Sequence, residues 1–215
     1  MNNYHFFGCS WTGWSNHNYV QELAKIKPEH NFYNWGILGS SIHISTFVLD
    51  YVKQKFSSLN NYFVFQVTTL SRVTWWDEKY KKYLIPEQVT DNYYRLGHGA
   101  NEEFLGSFSA ASCPNKHARK YKEEYFKWTS YSTMAHNHKM HCHYAKQNSD
   151  FMFFQKPDAR HKEFKDHLIV QDVLGEKRYQ ELCDQEDKHH FGLEGAQWQA
   201  KWISKVTSEC LGKEI

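Results

Sequence analysis

Apolar and polar positions in the first third of the chain alternate between two rhythms. Tyr4 to Phe7 is a short aromatic run that stops at Gly8, and Trp14, Val20, Leu23, Ala24 and Ile26 then recur at helical spacing. This predicts a strand followed by a helix over 14–26, ended by Pro28. Phe32-Tyr33-Asn34-Trp35 reads as a second strand that runs into a loop with Gly36 and Gly39. Ser40-Ser41 can cap a second helix whose apolar face is Ile44, Phe47, Val48, Tyr51, Val52 and Phe56. After the Asn60-Asn61 turn, Tyr62 to Val67 is almost continuously apolar, as expected of a strand buried on both faces of a parallel sheet. Strand, helix, strand, helix, strand at short spacing predicts right-handed β-α-β units and an α/β fold, a three-layer α/β/α sandwich on a mainly parallel sheet.

The rhythm breaks from Arg72 to about Asn115, a charged and aromatic stretch with Gly97, Gly99 and Gly106. It predicts an insertion after the third strand, packed over the sheet edge as a lid or substrate wall. A long helix is expected over 117–147, a strand at Phe151 to Phe154 and a weaker strand at His167 to Val170. A short helix at Glu176 to Cys183 and a last helix from Leu193 to about Val206 complete the pattern. No repeat, low-complexity tract or linker divides the chain, so residues 1–215 read as one domain.

Composition narrows the function classes. At 215 residues the chain can bury a core without disulfides or metals. A net charge of +2 leaves no nucleic-acid footprint and no acidic tail. The five cysteines, Cys9, Cys113, Cys142, Cys183 and Cys210, are widely spaced with no C-x-x-C pair, which favours thiols in a reducing compartment. The N-terminal residues carry no basic region with a long apolar run, and no apolar stretch is long enough to span a bilayer. The expectation is a soluble cytoplasmic protein with no membrane partner. Aromatic residues make up 17% of the chain and histidines number 14, against a mean hydropathy of -0.77.

Ligands of an α/β sandwich bind at the carboxyl ends of its strands. Three predicted loops lie there: 8–12, 36–41 and 68–72. In the first, Gly8-Cys9-Ser10-Trp11-Thr12 turns from strand into helix and offers a serine that serves either as helix N-cap or as nucleophile beside backbone N–H groups. A fourth loop, Asp187-Lys188-His189-His190-Phe191-Gly192-Leu193-Glu194-Gly195, precedes the last helix. An imidazole there could take the proton from Ser10, with a carboxylate three residues earlier to fix its tautomer.

Together these segments resemble the SGNH hydrolases, the esterase and lipase superfamily also called GDSL, whose fold is flavodoxin-like. The family's first block, Gly-Asp-Ser with Thr shortly after, is matched by Gly8-Cys9-Ser10-Trp11-Thr12. Its Asn-x-Gly-x-x-Gly block is matched by Asn34-Trp35-Gly36-Ile37-Leu38-Gly39, and its last block by Asp187, His190 and Gly195. The resemblance implies acyl transfer without a cofactor or metal: Ser10 as nucleophile, His190 as general base, Asp187 as its orienting carboxylate, and the N–H groups of Ser10 and Gly39 as oxyanion donors. The chain departs from the family in two places. Cys9 stands where the family has aspartate, and the third block, Gly-x-Asn-Asp, is replaced by Gln66-Val67-Thr68-Thr69-Leu70-Ser71-Arg72. Loss of such a side-chain donor typically costs about a hundred- to a thousandfold in rate. The hydroxyl of Thr68 or Thr69, or the guanidinium of Arg72, are the candidates to replace it.

The expected substrate is a small-molecule or glycan ester with a small acyl group, because the insertion is polar and aromatic and no long aliphatic stripe would hold a fatty chain. The rival class is a non-enzymatic module of the same fold that binds carbohydrate through Trp75, Trp76, Tyr80, Tyr93 and Tyr94. Cys9 as a thiol nucleophile is disfavoured because its side chain should point away from the one meeting His190. Of His136, His138, His141 and His143, only His138 and His141 are close neighbours on one helix face, so the cluster reads as helix-surface histidines rather than a metal site.

Overall fold

A computed structural model describes residues 1–13, 17–36, 41–57, 60–67, 131–156, 168–183 and 190–211. Strands β1 (Asn3–Phe7), β2 (Asn31–Asn34), β3 (Asn61–Val67), β4 (Phe151–Phe154) and β5 (Leu168–Ile169) form a five-stranded sheet in the order β2-β1-β3-β4-β5. Every pairing is parallel, which confirms the α/β class. The helices are α1 (Ser10–Gly13), α2 (Tyr19–Ile26), α3 (Ile42–Lys55), α4 (Tyr131–Asn148), α5 (Val170–Leu174), α6 (Glu176–Leu182) and α7 (Leu193–Leu211). The predicted insertion, 72–115, lies outside the described residues.

Successive strand residues face opposite layers, and each layer has its own core. Tyr4, Phe6, Val64, Phe151 and Phe153 pack against Tyr19, Val20 and Leu23 of α2, Tyr179 and Leu182 of α6, and Ala200, Ile203 and Val206 of α7. Phe7, Phe65, Val67, Met152 and Phe154 pack on the other side against α3 and α4. The near-continuous apolar runs of β3 and β4 are therefore explained by burial on both faces. At roughly 1.5–3 kcal/mol for each large apolar side chain buried, these two layers dominate the stability of the fold.

Several boundaries differ from those the periodicity predicts. The helix expected over 14–26 begins only at Tyr19, because Asn18 has extended backbone and its side chain accepts a 3.0 Å bond from the Gln21 N–H. The last helix continues past Val206 to Leu211, with Thr207 also buried. Of the long helix expected over 117–147, the described part is Tyr131–Asn148. The weak strand at 167–170 shortens to Leu168–Ile169 as Val170 turns into α5. Both α1 and α5 are too short to carry a periodic signal.

A histidine is built into the centre of the sheet. His5 on β1 is fully buried and stacks on Tyr33 and Phe63 of the flanking strands. The Trp35 indole donates to its Nδ1 at 3.1 Å, so the ring proton sits on Nε2 and is donated to Asn61 Oδ1 at 3.0 Å. Burial pushes the imidazole down to about pKa 4, only partly opposed by the Asn61 bond.

The folded state therefore resists protonating His5 while the unfolded chain takes up the proton below pH 6.5. Its contribution is complete above pH 6.5 and is lost as pH falls towards 4, at about 1.4 kcal/mol per pH unit and about 3 kcal/mol in all. Urea unfolding measured from pH 7.5 to 4.5 should show this slope in the wild type and a shallower one in His5→Phe. Parallel slopes would exclude His5 as the titrating group.

Candidate active site

The order β2-β1-β3-β4-β5 reverses direction at β1, and the carboxyl end of β1 beside β3 is the switch point where α/β sheets form their ligand crevice. Ser10 lies there, as the first residue of α1. The Cys9 carbonyl accepts from the N–H groups of Thr12 and Gly13, both at 2.9 Å, so Cys9 holds the position that receives the first intrahelical bond. Backbone position thus assigns the N-cap to Cys9 and leaves Ser10 one residue inside the helix. Cys9 itself is buried, in the place where the resemblance expects aspartate.

Gly8 makes the turn possible. A Cβ there would lie 2.4 Å from Thr12 Oγ1 and 2.8 Å from Gln66 Oε1, the two atoms that close beneath the turn. Thr12 donates to Gln66 Oε1 at 2.5 Å, and the Tyr19 hydroxyl lies 2.9 Å from the same Thr12 oxygen. Since the single Thr12 proton goes to Gln66, Tyr19 is the donor in the second bond. Burial holds the Tyr19 phenol well above its usual pKa, so it stays a neutral donor.

The loop after β2 is tied to α1 by the motif asparagine. Asn34 Nδ2 donates to the Thr12 carbonyl at 2.6 Å, while Asn34 Oδ1 accepts from the Gly36 N–H at 2.9 Å. The ladder continues one step further as the Trp35 N–H donates to the Phe6 carbonyl at 2.8 Å. Gly39 lies outside the described residues, as do Thr68 and Asp187.

The loop before α7 reaches the same place from the opposite end of the chain. Cys183 and Phe191 form an antiparallel bridge, and the Gly192 N–H donates to the Leu182 carbonyl at 3.0 Å. Gly195 lets α7 start against this bridge: a Cβ would stand 2.6 Å from the Phe191 ring and 2.7 Å from the Leu182 carbonyl oxygen. Held in this way, His190 places its ring 5.3 Å from that of Trp11, the residue next to Ser10. Phe191 meets the same indole edge-on at 5.0 Å, and Tyr179 lies at 5.8 Å. A narrow cleft is lined by Trp11, His17, Asn18, Tyr19, His190, Phe191, Ala196 and Gln199.

Of the residues expected in the site, the structure brings the Ser10 backbone, through Trp11, to the ring of His190. It also supplies a group that the motifs do not include. Gln66 Nε2 and Gln199 Nε2 both donate to Gln155 Oε1 at 3.0 Å. The sequence signal for these three was modest but present: Gln66 interrupts an apolar strand, Gln155 follows the run Phe151 to Phe154, and Gln199 sits on the apolar face of α7.

The histidine cluster is dispersed by α4. His138 is buried against the Cys142 thiol at 3.4 Å, whereas His136 and His143 are exposed. His141 meets Thr46 Oγ1 at 3.0 Å and stands 5.0 Å from the ring of His43 on α3. Burial lowers the pKa of both His43 and His141, and their proximity lowers that of His141 further. No three His, Cys, Asp or Glu side chains converge among the described residues. No helix among them is long and apolar enough to cross a membrane.

No protein-family model matches the chain, and no curated protein does. Among solved structures it is similar to a variant of Axe2, an acetyl xylan esterase from Geobacillus stearothermophilus, at 15% identity over 100% of this chain and 96% of that chain, with a TM-score of 0.34. A catalytic mutant of the same enzyme matches at 14% identity over 99% and 95%, also with a TM-score of 0.34.

Gly8→Ala should force Thr12 or Gln66 aside and destabilise the fold by about 1–3 kcal/mol, as overpacking does. Gly195→Ala should cost a similar amount by displacing Phe191. Chemical denaturation reads both; wild-type midpoints would show that the turns rearrange freely.

Proposed function

We propose that this protein is a serine esterase of the SGNH type that hydrolyses a small acyl ester, with a carbohydrate as the preferred alcohol. The observation that carries this reading is the convergence of three motif loops on α1. Asn34 bonds the Thr12 carbonyl, and His190 stands against Trp11, one residue from Ser10. Ser10 opens a helix at the sheet's switch point, while Cys9 takes the capping position that would otherwise explain a serine there.

In the proposed mechanism Ser10 Oγ attacks the ester carbonyl and its proton passes to His190, which Asp187 orients. Negative charge on the tetrahedral oxygen is held by the N–H groups of Ser10 and Gly39, with the Thr68 hydroxyl as the third donor. Collapse breaks the bond to the alcohol, which leaves with the proton from His190. Water then repeats the sequence on the acyl-enzyme, releasing the acid and restoring Ser10. No metal or cofactor takes part.

Ser10→Ala and His190→Ala should each abolish hydrolysis of p-nitrophenyl acetate while leaving the thermal midpoint close to wild type. A fluorophosphonate should label the wild type on Ser10. Wild-type hydrolysis by Ser10→Ala would refute the assignment, and sugar binding without labelling would instead establish a binding module.

A further inference from the structure

Gln155 ties the turn carrying Ser10 to the helix that follows His190. It sits at the carboxyl end of β4 with only 5% of its surface exposed. Its carbonyl oxygen receives two amide donors, Gln66 Nε2 from β3 and Gln199 Nε2 from α7, each at 3.0 Å. Gln66 in turn receives the Thr12 hydroxyl at 2.5 Å, and Thr12 receives the Tyr19 hydroxyl at 2.9 Å. The continuous line Tyr19, Thr12, Gln66, Gln155, Gln199 joins α2, α1, β3, the end of β4 and α7. All five side chains are buried, so each bond is made away from competing water.

The proton count fixes the direction of this line. Thr12 has one proton and gives it to Gln66 Oε1, which leaves the Gln66 amide nitrogen to face Gln155. Gln155 must therefore present its oxygen to Gln66, and the Gln199 amide nitrogen comes to that same oxygen. The Gln155 amide nitrogen is left to face the buried Tyr179 hydroxyl.

We propose that Gln155 is a positioning residue, which holds the Ser10 turn and the His190 loop in reactive register by accepting from Gln66 and Gln199 at once. This rests on the esterase reading, in which Ser10 and His190 must meet within hydrogen-bond reach. Misplacement by about 1 Å costs on the order of a hundredfold in rate. Neither Gln66 nor Gln155 lines the cleft, so their effect on the chemistry is exerted through α1 and α7.

The test compares wild type, Gln155→Met, Gln155→Glu and a packing control on the opposite layer, Leu49→Ala. The first readouts are the rate of fluorophosphonate labelling and the kcat and KM for p-nitrophenyl acetate. Gln155→Met should lose about tenfold to a hundredfold in labelling rate and kcat, with KM within about twofold. Leu49→Ala, matched for its fall in thermal midpoint, should keep its rates. Gln155→Glu retains the shared acceptor and should recover most of the labelling rate. Should Gln155→Met fail to fold, Gln66→Met, which also leaves the cleft lining intact, breaks the link to α1 and should show the same split.

A second readout is independent of catalysis. The His190 ring lies 5.3 Å from the Trp11 ring at a 45° tilt, so the chemical shift of its Cε1 proton reports the α1 to α7 register. That resonance should move in Gln155→Met or Gln66→Met and not in Leu49→Ala. Unlabelled wild-type protein would overturn the esterase reading alone, since the His190 shift still decides the register. Wild-type rates together with an unmoved His190 resonance in the folded variants would overturn the role of Gln155.

Discussion

The approach of Thr12 to Gln66 across Gly8 is the constraint on which the site depends. Their hydroxyl and amide meet at 2.5 Å only because Gly8 has no side chain to occupy the space between them. That bond draws α1 down onto the end of β3, and every later contact of the site is measured from α1. Asn34 ties the β2 loop to the Thr12 carbonyl, Asn18 starts α2 next to it, and Trp11 receives the ring of His190. A glycine, a threonine and a glutamine in the first third of the chain thus prepare a surface for a loop near its end.

The polar groups that join the elements beneath the candidate site are neutral. His5 is held unprotonated by burial, while Tyr19 and Tyr179 are held as phenols by the same cause. Thr12 and the three glutamines carry no charge at any pH. The interior beneath the site therefore gains direction from hydrogen bonds without paying to desolvate an ion pair. The pairs of Arg178 with Glu181 and Glu194 are exposed and contribute little. The turn beneath Ser10 follows this pattern, with the buried thiol of Cys9 standing where the resemblance expects a carboxylate.

Much of the fold is legible because each strand is short, apolar and followed by a turn residue. The run Tyr62 to Val67 cannot satisfy a helix face without burying every side, and the sheet uses it by sending alternate residues into two separate cores. The motif residues are legible for a different reason. Gly8, Asn34 and Gly195 answer local steric or hydrogen-bond demands that few other residues meet, so their types and spacing can be read from the sequence. Where the local signal is weak, the pattern misplaces the boundary. The helix after Ser10 was expected from 14 because Trp14 fits the helical spacing, whereas the Asn18 cap starts it at Tyr19.

The sequence by itself determined the class of fold, the strand that ends at Gly8, and the residue types at the candidate site: a serine after a turn and a histidine before the last helix. Its information is local, since periodicity and spacing describe neighbours along the chain. Tertiary structure alone decided that Cys9 occupies the helix cap, that His190 lies against Trp11, and that Gln66, Gln155 and Gln199 share one buried oxygen. Those contacts join residues far apart in the chain, and each glutamine taken singly looks like any polar residue on a strand end or helix. Only packing five elements into one parallel sandwich brings their amides within 3.0 Å, where the absence of water makes the bonds specific.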